Sequence, residues 1–351
     1  MSLFKILSID GGGIRGILPA QLLAAIEAKL QQKSGNSQAR IADYVNLVAG
    51  TSTGGIITTL LLTPNEQGRP KYAATEITQF YKQYGRQIFA DSFWRKLYTL
   101  NGLFGPNYSA KAFETILKDF LGDKTNADML RPFIVTAFET ARAESVFFSN
   151  RMKQKATTVQ RERAIEPFWK FYMRDIVRST AAAPTYLPPA CISPIENPSY
   201  KYSLIDGGVF ANNPAMCAVI EAMKTPFAAN DNAQAPKPNQ LVLISLGTSS
   251  SPVGHDYSKV KDWGKIKWIK PVLNSMMVGS ADTVDYQCRK LFEAHGLKEN
   301  YIRIDPPRGN ASADLDDASD KNIQALIAAG SAVVSTSKQK IDEIVNLLLT
   351  P

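Results

Sequence analysis

The sequence predicts an α/β protein built on a helix-covered, largely parallel central sheet. Six short apolar runs, residues 3–9, 44–49, 132–137, 203–205, 241–246 and 301–304, alternate with longer stretches of helical period. That alternation is the rhythm of strands joined by crossover helices. Glycine clusters stand where the first two runs give way to helices, at residues 10–16 and 50–54. With 351 residues, 44% hydrophobic and 21% charged, the chain can bury a large core, and no compositional break divides it. A single unit spanning residues 1–351 is expected, with the informative motifs in 3–214 and the remainder completing the sheet and adding covering helices.

Taken in order, the run 3–9 leads through glycines into an amphipathic helix over 17–32, and the run 44–49 leads through 50–54 into a helix over 55–62. Further helices are expected over 73–84, 110–121, 214–223, 271–293 and 322–348. Proline-rich or polar stretches at 64–70, 226–240 and 305–320 read as loops, the last an acidic, solvated one. No internal repeat is evident.

The segment Gly50-Thr51-Ser52-Thr53-Gly54 places Ser52 where a strand turns into a helix. Small residues on both sides of such a G-x-S-x-G elbow allow a tight turn that lifts the hydroxyl clear of the backbone, where helix-start amides face the reacting oxygen. The segment Asp10-Gly11-Gly12-Gly13-Ile14-Arg15-Gly16 has two readings. Gly11, Gly13 and Gly16 spell G-x-G-x-x-G, as in a dinucleotide site, but the second strand ends in Ser52 and its glycines, where such a site wants an acidic residue for the ribose. In the hydrolase reading, the bare amides of Gly11, Gly12 and Gly13, with that of Thr53 as a further candidate, converge on a developing oxyanion. A third motif, Asp206-Gly207-Gly208, ends the run at 203–205.

These motifs, in this order, resemble the patatin-like phospholipase family, whose pattern is D-G-G-G-x-R-G, then G-x-S-x-G, then D-G-G or D-G-A. The likeness extends to R-S-T-A-A-A-P-T-Y-L-P-P at 178–189 and G-G-V-F-A-N-N-P at 207–214, with Ala181 and Leu187 as mild departures. The resemblance implies a patatin-like three-layer architecture and a Ser-Asp dyad in which Ser52 attacks and Asp206 is the base. It supports a lipid acyl hydrolase acting on glycerophospholipids or related acyl lipids, with Arg15, Gly16, Gly50, Gly54, Gly207 and Gly208 shaping the loops. Acyl transfer with the same dyad, and a storage or binding protein with residual esterase activity, are the alternatives. Some bacterial relatives are membrane-degrading effectors gated by a cyclic nucleotide, so a small-nucleotide activator is an open expectation.

Only His255 and His295 are present. His255 lies in a Gly/Ser/Pro-rich loop and His295 before Gly296 at a helix end, so both read as solvated or capping residues. A triad through His255 stays open. Arg15 is read as a brace for the glycine loop in preference to a phosphate ligand, and Asp10 as a loop or helix cap, not a second base.

No stretch is long and apolar enough to span a bilayer, and no signal peptide is evident. Cys191, Cys217 and Cys288 are scattered and odd in number, which points to a reducing, cytoplasmic setting and to packing roles. No metal or cofactor is expected, because Asp314, Asp316, Asp317 and Asp320 do not reproduce a calcium loop. The balance of 40 Lys and Arg against 32 Asp and Glu, net +8, favours anionic surfaces. Basic-aromatic stretches at 85–108, 151–174 and 259–270 are candidates for peripheral contact with an anionic membrane, and no nucleic-acid module is recognised. Composition leaves the oligomeric state unread.

Overall fold

The computed structural model describes residues 3–88, 110–150, 169–224, 235–249 and 254–351. Among the described residues, eight strands form one sheet: β1 (Phe4–Ile9), β2 (Leu47–Thr51), β3 (Phe133–Glu139), β4 (Glu144–Phe148), β5 (Ala190–Ile192), β6 (Tyr202–Asp206), β7 (Leu241–Leu246) and β8 (Tyr301–Ile304). Their order is β5-β6-β3-β2-β1-β7-β8, with β4 also paired to β3. The run β3-β2-β1-β7-β8 is parallel, and β4, β5 and β6 join antiparallel. The largely parallel sheet expected from the alternating runs is therefore present, and β4 and β5 are additions the sequence reading missed.

Side chains alternate across the sheet with period two. Leu7, Ile9, Val48, Val242 and Ile244 face a large core shared with the helices Ile17–Ser34, Thr53–Leu62, Ala74–Ile88, Lys111–Leu121, Asp320–Thr336 and Lys338–Leu349. Phe4, Ile6, Leu47, Ala49, Leu241 and Leu243 face a smaller core under the helix Ala215–Lys224 and the far end of the helix Lys265–Ala294, where Cys288 and Phe292 are buried. Because the central strands are covered on both faces, they read as unbroken apolar runs in the sequence.

Three boundaries differ from expectation. β2 begins at Leu47, because residues 41–44 form a short helix instead. The long helix starts at Lys265, six residues before Pro271. Proline removes one helical hydrogen bond, a cost that water offsets on the exposed first turns. The stretch 322–348 divides at Ser337 into two helices, both packed on the helix Ile17–Ser34.

The registers fix the ends of the strands. Ile9 lies opposite both Gly50 and Leu246, so the loops leaving β1, β2 and β7 emerge side by side at the carboxyl edge, where open parallel sheets build their sites. On β3, Thr136 pairs with Thr51 of β2, and the next residue, Ala137, pairs with Asp206 of β6. β4 occupies the opposite edge of the same residues. β2 and β6 thus abut end to end along one edge of β3.

Asp10, at the end of β1, was expected to be a loop or helix cap. Its carboxylate is instead held by Arg303 of β8, at 2.7 and 3.3 Å, and both side chains are nearly fully buried. Burial raises the Asp10 carboxyl to about 6 against the opposing pull of the guanidinium. Arg303→Met leaves that carboxyl buried without its cation, and the expected loss is about 3–5 kcal/mol of unfolding free energy at neutral pH. Urea melts of parent and variant measure it, and Asp10→Asn in the Arg303→Met background is expected to restore part of the loss.

Candidate active site

Ser52 occupies the turn between β2 and the helix Thr53–Leu62 with φ 54° and ψ −121°, outside the regions comfortable for a residue with a β-carbon. The strain is held by its surroundings. A β-carbon on Gly54 would collide with the carbonyl of Ile9, and one on Gly50 would collide with the carbonyl of Gly54, so both glycines of the elbow are required by close backbone approach. The Ser52 amide donates to Thr180 Oγ1 at 2.8 Å. Thr51 Oγ1 donates to the carbonyl of Ala211 at 2.6 Å and lies 2.7 Å from Thr136 Oγ1, tying the elbow to the segment that follows Asp206.

Asp206 ends β6 and is 3% exposed, and Ser52 is 7% exposed. The Ser52 side chain stands beside the Asp206 carboxyl in one cavity, where its hydroxyl favours the charged form, and Asp206 Oδ1 accepts the Gly208 amide at 2.7 Å. Desolvation raises the carboxyl from 3.8 to about 7, outweighing the Ser52 hydroxyl and the Gly208 amide, which favour the charged form.

The glycine loop runs through a single turn, Gly13–Gly16, into the helix Ile17–Ser34. Gly13 has φ 58°, and any side chain there would strike the carbonyl of Leu315. The expectation that Gly11, Gly12 and Gly13 all offer amides is corrected in one respect. The Gly11 amide donates to the carbonyl of Asn212 at 2.9 Å, and its own carbonyl accepts from Thr248 Oγ1 and, at 3.4 Å, from Asn212 Nδ2. Gly11 is therefore clamped as a structural peptide. Among the described residues, no acceptor takes the amides of Gly12, Gly13 or Thr53, and Gly13 and Thr53 line a cavity with Ser52.

Arg15 is buried, donating to the carbonyl of Ser249 at 3.1 Å and, more weakly, to that of Gly12 at 3.4 Å. It braces the loop, and burial lowers its guanidinium to about 10. Gly16 allows Thr53 and Tyr81, which hydrogen-bond each other, to approach the start of the helix. Gly207 and Gly208 give the turn after Asp206 its close packing on Thr136 and beside Asn212.

Two adjoining cavities share Asp206, Ala183, Tyr186, Met277 and Leu315. The inner one, about 40 Å³, contains Ser52 and is walled by Ile56, Ile88, Phe113 and Leu187. The outer one, about 180 Å³, is walled by Pro184, Val209, Leu273, Met276 and Met277 among others. Leu315 and Asp316 come from the stretch read as a solvated acidic loop, which instead closes over the glycine turn through the hydrogen bond from Ile14 N to Leu315 O at 2.9 Å. His255 borders the outer cavity with its ring against Trp263, 4.8 Å between centroids. His295 Nδ1 sits 2.8 Å from the carbonyl of Leu291 at a helix end.

Of the three basic-aromatic stretches, residues 89–108 and 151–168 lie outside the described residues. Phe171 of the second is buried in the core against Tyr202, and Trp169 packs half-buried against the same ring. Asn212, Thr180 and Thr248 are site residues that the sequence reading did not single out. Their hydroxyl or amide partners are more than a hundred positions away, so no local pattern could have flagged them.

Fold and site together define an α/β protein with a serine on a strand-to-helix elbow, an aspartate at its side and a glycine turn in front. The family model described as patatin-like phospholipase matches residues 7–219, and the chain belongs to this family. It is 33% identical over 364 residues to patatin-like protein 2 of Oryza sativa, covering 97% of this chain and 86% of that one. Patatin-like protein 2 of Arabidopsis thaliana is 33% identical over 360 residues, covering 97% and 85%. Patatin-T5 of Solanum tuberosum is 32% identical over 344 residues, covering 95% and 84%. A crystal structure of VipD from Legionella pneumophila aligns with 99% of this chain and 67% of that one at 12% identity and a TM-score of 0.37. Membership supports lipid acyl hydrolase activity at the level of the family.

Helix propensity favours alanine over glycine by about 1 kcal/mol in a helix interior. Gly54→Ala is nevertheless expected to destabilise the protein by about 1–3 kcal/mol, because the added carbon meets the Ile9 carbonyl. A denaturant midpoint lower than that of the parent checks the sign.

Proposed function

We propose that the chain hydrolyses carboxylic esters of glycerophospholipids or related acyl lipids through an acyl-enzyme on Ser52. The observation that carries this reading is Ser52, held on a strained backbone turn, sharing one apolar cavity with the buried Asp206, whose carboxyl desolvation raises to about 7. An aspartate of ordinary acidity is a poor base. One desolvated to near neutrality accepts a proton readily and is still substantially ionised at the working pH.

In the proposed cycle, Ser52 Oγ attacks the ester carbonyl carbon while its proton passes to Asp206. The carbonyl oxygen becomes an oxyanion facing the amides of Gly12 and Gly13, with Thr53 beside them at the helix start. Collapse of the tetrahedral intermediate breaks the acyl carbon–oxygen bond, and Asp206 returns the proton to the leaving alkoxide. Water then attacks the acyl carbon, giving its proton to Asp206, and the fatty acid leaves as Ser52 regains its hydrogen. General-base assistance contributes roughly 10²–10⁴ in rate, and each amide donor about 10²–10³. The glycine turn is therefore as important as the base.

The apolar walls of the two cavities suit an acyl chain, and the methionines at 276 and 277 can adjust to its shape. Among the described residues, no helix is long and apolar enough to cross a membrane. On this reading the lipid substrate is met by peripheral contact with a surface.

Hydrolysis of a soluble short-chain ester tests the base. The expected kcat/KM falls about tenfold per pH step below an apparent pKa near 7. Asp206→Asn is expected to lose at least about 10²-fold in kcat, and Ser52→Ala to lose acyl-enzyme formation altogether. A profile unchanged down to pH 5, or a His255→Ala variant as inactive as Ser52→Ala, contradicts the reading. Mass spectrometry of products from mixed phospholipids separates hydrolysis, which yields free fatty acid, from acyl transfer to an alcohol.

The same shift has a stability consequence. The folded carboxyl keeps its proton up to about pH 7, whereas the unfolded one releases it near 3.8. Stability is therefore lost as pH rises through that window. Asp206→Asn is expected to raise unfolding free energy at pH 8 by up to about 4 kcal/mol, measured by urea denaturation of both proteins at pH 8 and at pH 4.

A further inference from the structure

The helix Lys265–Ala294 is anchored at one end only. Its fully buried residues, Ala281, Cys288 and Phe292, all lie in its second half. The first half carries apolar side chains on two adjacent strips. Leu273 and Met277 turn toward the outer cavity. Ile266, Ile269, Val272 and Met276 are 68%, 41%, 42% and 44% exposed. At about 100° per residue, these four spread over about 120° of the helix as one broad apolar ridge, which merges with the cavity wall at Leu273 and Met276. A soluble helix ordinarily turns such a ridge inward.

Charge surrounds the ridge. Residues 255–270 hold Lys259, Lys261, Lys265, Lys267 and Lys270 against Asp256 and Asp262. Among the described residues, none of the five ammonium groups is paired with a carboxylate. Trp263 and Trp268 pack edge to face at 5.3 Å at the base of this segment, and Tyr257 is 79% exposed. An apolar ridge bordered by unpaired lysines and anchored by tryptophans matches the layered chemistry of a bilayer surface, with acyl chains beneath anionic headgroups. The same positive charge disfavours a second copy of this face as its occupant.

We propose that residues 257–276 are an interfacial docking surface that seats the protein on a bilayer containing anionic headgroups, with the mouth of the outer cavity turned toward the lipid. The assignment rests on the acyl-hydrolase reading for the purpose of docking but not for the surface itself. Ile266 and Ile269 enter the headgroup layer, the lysines contact phosphate, and a lipid leaving the bilayer passes along Met276 toward Asp206 and Ser52.

The test compares sedimentation of the full chain with phosphatidylcholine vesicles with and without phosphatidylglycerol, alongside hydrolysis of a soluble short-chain ester. The parent is expected to bind the anionic vesicles and to release them as salt rises. Ile266→Asp with Ile269→Asp, and separately Lys265→Glu with Lys267→Glu, are expected to weaken vesicle binding by about tenfold or more. Soluble-ester turnover should stay at the parent level in both variants, because none of the four residues lines the cavity. Vesicle binding equal in parent and variants overturns the docking surface, as does concentration-dependent dimerisation that the same substitutions abolish. A parent that binds vesicles but fails to hydrolyse the soluble ester overturns the hydrolase reading and leaves the docking surface standing.

Discussion

The site depends on how one edge of β3 is shared. β2 runs parallel along its first part and stops at Thr51 opposite Thr136, and β6 arrives antiparallel and stops at Asp206 opposite Ala137. Two strand ends are thereby brought to neighbouring residues of a third strand, and Ser52 and Asp206, 154 positions apart in the chain, meet. Sheet registry is a strong constraint, because a slip of one residue would send every side chain of a strand to the opposite face. The Thr51 and Thr136 hydroxyls, with the Ala211 carbonyl, lock that junction on the inside.

The chemistry follows from what this junction excludes. Asp206 is enclosed by strand ends and a glycine turn, with no cationic partner among the described residues, and the cost of its charge raises its carboxyl toward neutrality, which suits it to the base role proposed for it. Asp10 stands a few residues from the same loops and is just as buried, yet Arg303 partners it and it serves as a structural brace. Two carboxylates of similar burial thus differ in electrostatic surroundings through the presence or absence of one guanidinium. Folding bears the expense in both places: Asp206 as unrelieved desolvation and Ser52 as backbone strain.

Much of this was legible in the sequence because it is local. The elbow needs small residues at fixed spacing around Ser52, the turn after β1 needs residues without side chains, and each sits at the end of an apolar run that can only be a buried strand. What escaped reading depends on tertiary partners. Gly11 looks no different from Gly12 until Asn212 takes its amide, and Asp10 resembles a cap until Arg303, 293 positions away, closes on it. β4 alternates buried and exposed residues amid charges, and β5 has only three residues, so neither carries the unbroken apolar signature of the central strands. Pro271 reads as a helix start, although the exposed turns before it tolerate a missing hydrogen bond. Trp169 and Phe171 share their basic surroundings with a surface patch, and only packing against Tyr202 shows Phe171 to be core and Trp169 to lie against it.

The central claim is that the Ser52 hydroxyl, the Asp206 carboxylate and the unspent amides of the glycine turn act on one carbonyl. A crystal structure of the chain after reaction with an alkyl fluorophosphonate tests it most directly. The account predicts phosphorus bonded to Ser52 Oγ, with the phosphoryl oxygen about 2.7–3.1 Å from the Gly12 and Gly13 amides and the alkyl chain running along Met277. An adduct on any other residue, or one on Ser52 whose phosphoryl oxygen faces away from the glycine turn, would contradict it.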